Sequence, residues 1–338
     1  MNRQPKPAPD TRFLHVANGS STTRLIAAAG IPGEMSLWAD VLYEGPVPGG
    51  LSDESLMEIR RRYLSGEAEG ADASLDPSND LRQWRATIAR HDSYDELVLW
   101  FEHDLFDQLN LIQLLPWICE RVPAEKVVSL ICAGSFPGRP NFKGLGELTP
   151  GELGSLLEAR TRVTDEQYSV AQRAWHAFRE STPEALDALR REDTSALPYL
   201  AAALTRFLEE YPWTTDGLSR TERRLLHLAS ADGITLFDAF PRMHDDEDAY
   251  YVTDLSLAGM AEALSRTSPP LLTLTAEEAP YAPLAVRVTL TTTGAAILAG
   301  KQDRGPIDRW FGGVHLHPGA PVWKWDPARD QDRIRGIS

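Results

Sequence analysis

The stretch Glu96–Arg121, ELVLWFEHDLFDQLNLIQLLPWICER, decides how the rest of the chain is read. Its first part, Glu96 to Phe101, is a short apolar run of strand-forming residues. From Leu105 on, leucines and isoleucines recur at helical spacing up to a Cys-Glu-Arg-Val-Pro stop. Between the two there is no room for a loop, only Glu102, His103 and Asp104, with Asp107 one helical turn further. A strand that runs through ionisable residues straight into a helix is where open α/β sheets hold ligands. The expectation is an α/β fold with a parallel, Rossmann-like sheet in its N-terminal domain.

Working upstream, RFLHVA (12–17) reads as a first strand, Asn18-Gly19-Ser20-Ser21 as a small-residue turn, and TTRLIAAAG as a helix closed by Gly30 and Pro32. MSLWAD (35–40) predicts a second strand. It runs into VLYEGPVPGG, a loop shaped by Pro46 and Pro48 that carries Glu44. Helices follow over 52–66 and 81–91, joined by a polar connection at 67–79. Downstream, KVVSLICA (126–133) is a further strand. Helices between strands favour a parallel sheet, because parallel strands need crossovers. The Gly- and Pro-rich run 134–150 is long for a compact domain, which marks it as functional or as a linker.

Residues 150–212 read as a helical connector, with Thr164 and Gln167 as a capping-box start. At Trp213 the character changes. Ser219-Arg-Thr-Glu222 is a second capping box, followed by three helices, two strands expected to pair as a hairpin, and a last short helix. That order is the one of a winged helix. The tail DRWFGGVHLHPGAPVWKWD lies outside such a module and is expected to fold back on the body. The expected organisation is a disordered lead-in over 1–10, an α/β domain over 11–149, the connector over 150–212, and a winged-helix-like C-terminal domain over 213–338.

Composition narrows the function classes. A chain of 338 residues, 42% hydrophobic and 25% charged, has the make-up of a globular protein of more than one domain. Its net charge of −15 is spread along the chain. No basic segment offers a footprint for nucleic acid or for anionic lipid, so those partners are disfavoured while a protein partner stays open. The two cysteines, Cys119 and Cys132, read as core positions, not as a disulfide or zinc framework. The N-terminus has no apolar signal region and no run is long enough for a membrane span, so a cytoplasmic location is expected.

Several phrases together resemble the bacterial proteins grouped as "domain of unknown function 1835": HVANGSS, WADVLYEGPVP, LWFEHDLFDQLNLIQLL, FKGLGELTPGEL, LPYLAAALTRFLEEYP, GLSRTERRLL and RWFGGVHL. They extend over nearly the whole chain. The resemblance implies an α/β N-terminal domain and a helical C-terminal part, and it implies little about activity. The family's first turn usually reads Gly-Asp-Ser. Here it is Gly19-Ser20-Ser21, which removes a carboxylate beside the expected site.

The chemistry-bearing candidates gather at one sheet edge. Glu102, His103, Asp104 and Glu44 are the candidate catalytic groups, able to do acid–base work or to hold a divalent metal through His103 and Asp104. Asp104 is also the expected N-cap of the following helix and Asp107 its third residue, which are ordinary structural roles. Asn18, Gly19 and Ser20 could cradle an anion at a helix N-terminus, and Asp107 is a further candidate binding residue. Arg309 and Trp310 could close over an anionic or planar ligand. His15, amid apolar neighbours, reads more simply as core. Two readings follow. One is an enzyme, a hydrolase or group transferase acting on a small anionic substrate, with a divalent metal as the candidate cofactor. The other is a ligand-sensing regulatory or protein-interaction protein built on the C-terminal region.

Overall fold

The computed structural model describes residues 4, 8, 10–65, 77–229, 232–249, 252–331 and 333–337. Most of the expected lead-in over 1–10, and most of the connection over 67–79, lies outside them. The chain divides into two compact units, Met1–Leu204 with Trp310–His315, and Thr205–Arg309 with Leu316–Ser338. The helical stretch from 150 to Leu204 therefore belongs with the α/β part.

The first unit opens with β1 (Phe13–Ala17), α1 (Ser20–Ala28), β2 (Glu34–Leu37), α2 (Asp53–Leu64) and α3 (Pro77–Ala89). It continues with β3 (Glu96–Glu102), α4 (Leu105–Arg121), β4 (Val127–Ala133), α5 (Pro150–Ala159), β5 (Thr161–Arg162), α6 (Asp165–Phe178) and α7 (Glu184–Leu189). The sheet order is β2-β1-β3-β4-β5. The first four strands are parallel and β5 is an antiparallel edge. The expected parallel sheet is present. The two-residue β5 interrupts a stretch expected to be helical throughout, because Thr161 and Arg162 complete the open side of β4.

From β1 the chain steps outward to β2 and then returns to the other side of β1 as β3. The C-terminal ends of β1 and β3 thus flank the point where strand order reverses, the crevice in which such sheets bind ligands. Register sets which residues share that edge: Ala17 pairs with Trp100, and Ala133 with Glu102.

β3 is buried along its whole length. Side chains alternate across a strand, so Glu96, Val98, Trp100 and Glu102 point to one face. There Val98 and Trp100 pack with Phe13, Ile26, Leu145 and Leu153. Trp100 Nε1 donates to His15 Nδ1 at 3.0 Å, and His15 Nε2 lies 3.2 Å from the Pro32 carbonyl. With both nitrogens occupied the ring is a neutral core group, and burial lowers its pKa to about 4.

α4 is buried from Leu105 to Ile118 apart from Phe106, including four polar residues that brace the strand ends. Asn110 exchanges hydrogen bonds with the Asp40 backbone, and Gln113 accepts from Trp38 Nε1. Cys119, expected in the core, is exposed, because the burial of α4 ends one residue earlier. The loop after β2 is held from below by buried Arg60, which pairs with Asp40 at 2.7 Å and donates to the carbonyls of Val41 and Glu44. The expected capping boxes at Thr164/Gln167 and Ser219/Glu222 both form, and Thr149/Glu152 adds a third.

α8 (Leu200–Leu208) carries the chain into the second unit, which holds α9 (Arg220–Ala229), β6 (Ile234–Thr235), α10 (Leu236–Met243) and α11 (Asp254–Ser265). Next come β7 (Leu272–Ala276), β8 (Val286–Leu290) and α12 (Thr292–Leu298). β7 and β8 pair as the expected hairpin, and β6 adds to β8 to give a three-stranded antiparallel sheet. In the tail, β9 (Arg309–Phe311) pairs with β10 (Val314–Leu316), and β11 (Val322–Trp325) with β12 (Ile334–Ile337). Residues 310–315 join the first unit: Val47 N donates to the Gly312 carbonyl at 2.8 Å and Gly313 N to that of Phe178 at 3.0 Å. No helix among the described residues is long and apolar enough to cross a membrane.

Candidate functional site

The β3–α4 junction puts three carboxylates together. Asp104 caps α4, its Oδ1 accepting from Asp107 N at 2.8 Å. Asp107, in the first turn, turns back toward the strand ends. Its Oδ1 accepts from Glu102 N at 2.6 Å and its Oδ2 accepts from Asn18 Nδ2, which ties the end of β1 to the end of β3. Glu102, only 8% exposed, accepts from Leu145 N at 2.8 Å through Oε1. Glu102, Asp104 and Asp107 each offer an oxygen within 4.8 Å of the other two.

The donors to this cluster are neutral amides, and none of the three acids has an ion pair with lysine or arginine among the described residues. Burial and mutual repulsion then favour the protonated forms. Desolvation, reinforced by Asp104 and Glu147, pushes Glu102 up to about 8. Desolvation raises Asp104 against the pull of its amide donors and of His103. Asp107, fully buried beside both other acids, is raised well above the usual carboxylate range. The other end of β3 shows the contrast. Glu96 points to the same face and is just as buried, but it has a bidentate partner in Arg160, at 2.7 and 2.9 Å, and a bond from Ser129 Oγ. One strand thus carries two buried glutamates, one neutralised by an arginine and one with no cationic partner among the described residues.

Around the acids the site is built by contributions from several elements. Gln108 Nε2 donates to the Glu102 carbonyl at 2.6 Å, while its Oε1 is buried without a partner. His103 Nδ1 is likewise buried and unbonded. The His103 ring meets Tyr199 edge-on, with centroids 5.9 Å apart at 66°. The run after β4 roofs the Glu102 carboxylate closely enough that any side chain at Gly144 would collide with it. Cys132 lies beneath, 3.4 Å from Gln108 Nε2, and burial pushes its thiol up to about 12, so it is unreactive at neutral pH.

Of the sequence candidates, Asn18, Glu102, His103, Asp104 and Asp107 meet at this junction. Gly19 and Ser20 follow directly, Gly19 serving as an N-cap without a side-chain cap on α1. The Glu44 carbonyl accepts from Arg60 and its carboxylate lies 3.5 Å from the Tyr63 hydroxyl, while the neighbouring Tyr43 ring meets Phe106 in the first turn of α4. Trp310 stacks flat on His315, with centroids 4.4 Å apart at 6°. Arg309 belongs to the second unit, where its charge helps to keep buried Glu210 ionised. Sequence reasoning missed Gln108 and Tyr199. Gln108 sits four residues into a helix and could have been found by asking which polar residues share the face of Asp104; nothing local marks Tyr199. Known family models and curated proteins return no match to this chain.

Proposed function

We propose that the protein is a small-molecule enzyme, a hydrolase or group transferase, whose site holds a divalent cation on Glu102, Asp104 and Asp107 and acts on an anionic substrate. The observation that carries this reading is the carboxylate triad at the strand-order reversal of the parallel strands, with Glu102 and Asp107 buried, Asp104 half-buried and no lysine or arginine paired to it among the described residues. An all-oxygen donor set suits a hard cation such as Mg²⁺ or Mn²⁺. Such an ion would replace the missing arginine and return the acids to their ionised forms. When bound, it would supply charge stabilisation for a substrate oxyanion. His103, beside the acids with a buried and unbonded Nδ1, is the residue suited to move a proton. The similarity of the quoted motifs to the domain of unknown function 1835 family supports membership in that group, and this remains a proposal alongside the enzymatic one.

The test is direct. Isothermal titration of chelator-treated protein with Mn²⁺ should show one site, and Asp104→Asn should weaken it at least tenfold by removing one of three charged ligands. A wild-type chain that takes up no divalent ion near neutral pH would sink the reading.

A second reading rests on the second unit. The order helix, strand, helix, helix, hairpin supports a winged-helix-like module for binding a partner. The arginines that would face DNA are engaged with acids: Arg220 with Glu209 and Glu247, Arg223 with Asp216, and Arg224 near Asp245. That pattern favours a protein partner over nucleic acid.

A further inference from the structure

We propose that Tyr199 is a ligand-binding residue of the carboxylate site, its phenolic hydroxyl donating a hydrogen bond to an oxyanion held there. The inference rests on the cation reading above and adds to it a residue, and a ligand chemistry, that the acids alone do not specify.

Three observations place Tyr199 at the site. The first is register. Ala133 is paired with Glu102, so Gly134 is the first residue past the same sheet edge. The second is the fit at that glycine. A Cβ on Gly134 would lie 2.5 Å from Tyr199 Cε1, 2.6 Å from Cζ and 2.8 Å from the hydroxyl oxygen. Only glycine leaves room there for the phenol, and it is the hydroxyl end of the ring that lies over the strand end. The third is the contact with His103, the residue between Glu102 and Asp104, whose ring Tyr199 meets edge-on.

The hydroxyl itself makes no hydrogen bond with any described residue, although the ring is packed against the backbone. Tyr199 is only half-buried and its hydroxyl is reachable from solvent, so a ligand can take the place of water on it. The carboxylate site itself holds two buried atoms with no hydrogen-bond partner, His103 Nδ1 and Gln108 Oε1. Buried polar atoms without protein partners are ones that a polar ligand can satisfy. A phenol donor beside a cation site suits an oxygen-rich anion, one oxygen toward the cation and another toward the hydroxyl.

Tyr199→Phe isolates the claim, because it keeps the ring, its fit against Gly134 and its contact with His103. The measurement is titration with Mn²⁺, then with inorganic phosphate at saturating Mn²⁺, on wild type, Tyr199→Phe and Asp104→Asn. The expected result is an unchanged Mn²⁺ affinity and an unchanged melting temperature for Tyr199→Phe. Its phosphate affinity should fall about five- to tenfold, the loss of one hydrogen bond to a charged acceptor. Equal phosphate affinity in wild type and Tyr199→Phe overturns the role of Tyr199 and leaves the cation reading standing. Mn²⁺ uptake without phosphate binding in wild type overturns the oxyanion assignment. Failure of wild type to bind Mn²⁺ removes both. A lower melting temperature in Tyr199→Phe would show the hydroxyl to be structural and overturn the proposal as well.

Discussion

Glu102→Gln is expected to make the chelator-treated protein more stable at pH 8 than the wild type, and to abolish divalent-cation binding in the same molecule. Desolvation first, and the neighbouring acids second, raise Glu102 from an ordinary value of 4.5 to about 8. The folded protein therefore holds a proton that the unfolded chain releases above pH 4.5. Stability from this group is fully present below that value and is lost as pH rises through about 8. The linked loss is on the order of a few kcal/mol, since each tenfold difference in proton affinity between the folded and unfolded chain is worth about 1.4 kcal/mol. Asp104 and Asp107 are raised as well and add slope of the same sign. Glutamine keeps the Leu145 bond and needs no cation, so urea midpoints for the variant should vary less between pH 5 and 8. Saturating Mn²⁺ should flatten the wild-type profile in the same way and leave the variant unmoved. A wild type whose stability rises over that interval without metal would refute this reading of the site.

Much of this site could be read in the chain because it is local. Glu96–Phe101 is apolar and β-prone, Asp104 is a strong helix cap, and the two are separated by so few residues that the junction has little freedom. The structural roles expected of Asp104 and Asp107 are present, Asp104 capping α4 and Asp107 bracing the end of β3, and both lie in the acidic cluster. Tyr199 was invisible because its place depends on packing at Gly134, far away along the chain. In the acidic turn Asp245–Asp248 three residues are exposed and Glu247 is half-buried. Acids in a turn look solvated, yet Glu247 pairs with buried Arg206 at 2.9 Å and with Arg220 at the same distance. Charge patterns show that a turn is polar, but not which of its charges a distant arginine will take inside. Arg309, read from sequence as an anion clamp, also acts electrostatically on buried Glu210.

Arg160→Met should be among the most destabilising single changes in the first unit, and its effect should be largely reversed by a second change. Arg160 is 2% exposed and sits at the end of α5, where its guanidinium grips both oxygens of Glu96 and donates to the Leu157 carbonyl. It also lies over the Phe13 ring at 5.8 Å, so its stem and plane are part of the core. Methionine keeps much of that volume but strands the Glu96 carboxylate under the sheet. Breaking a buried pair from one side costs roughly 3–5 kcal/mol, because the remaining charge is left unpaired in an apolar setting. Adding Glu96→Gln removes that charge and keeps an acceptor for Ser129, so the double variant should recover most of the loss. Urea unfolding of the four proteins in the cycle measures this. The outcome also bears on the opposite end of β3. If a lone glutamate at Glu96 proves costly, Glu102, equally buried and with no arginine partner among the described residues, carries a comparable cost when ionised. A ligand cation at the carboxylate cluster would relieve it. A small effect for Arg160→Met would mean that this interior tolerates unpaired carboxylates, and the acidic cluster would then need no cation.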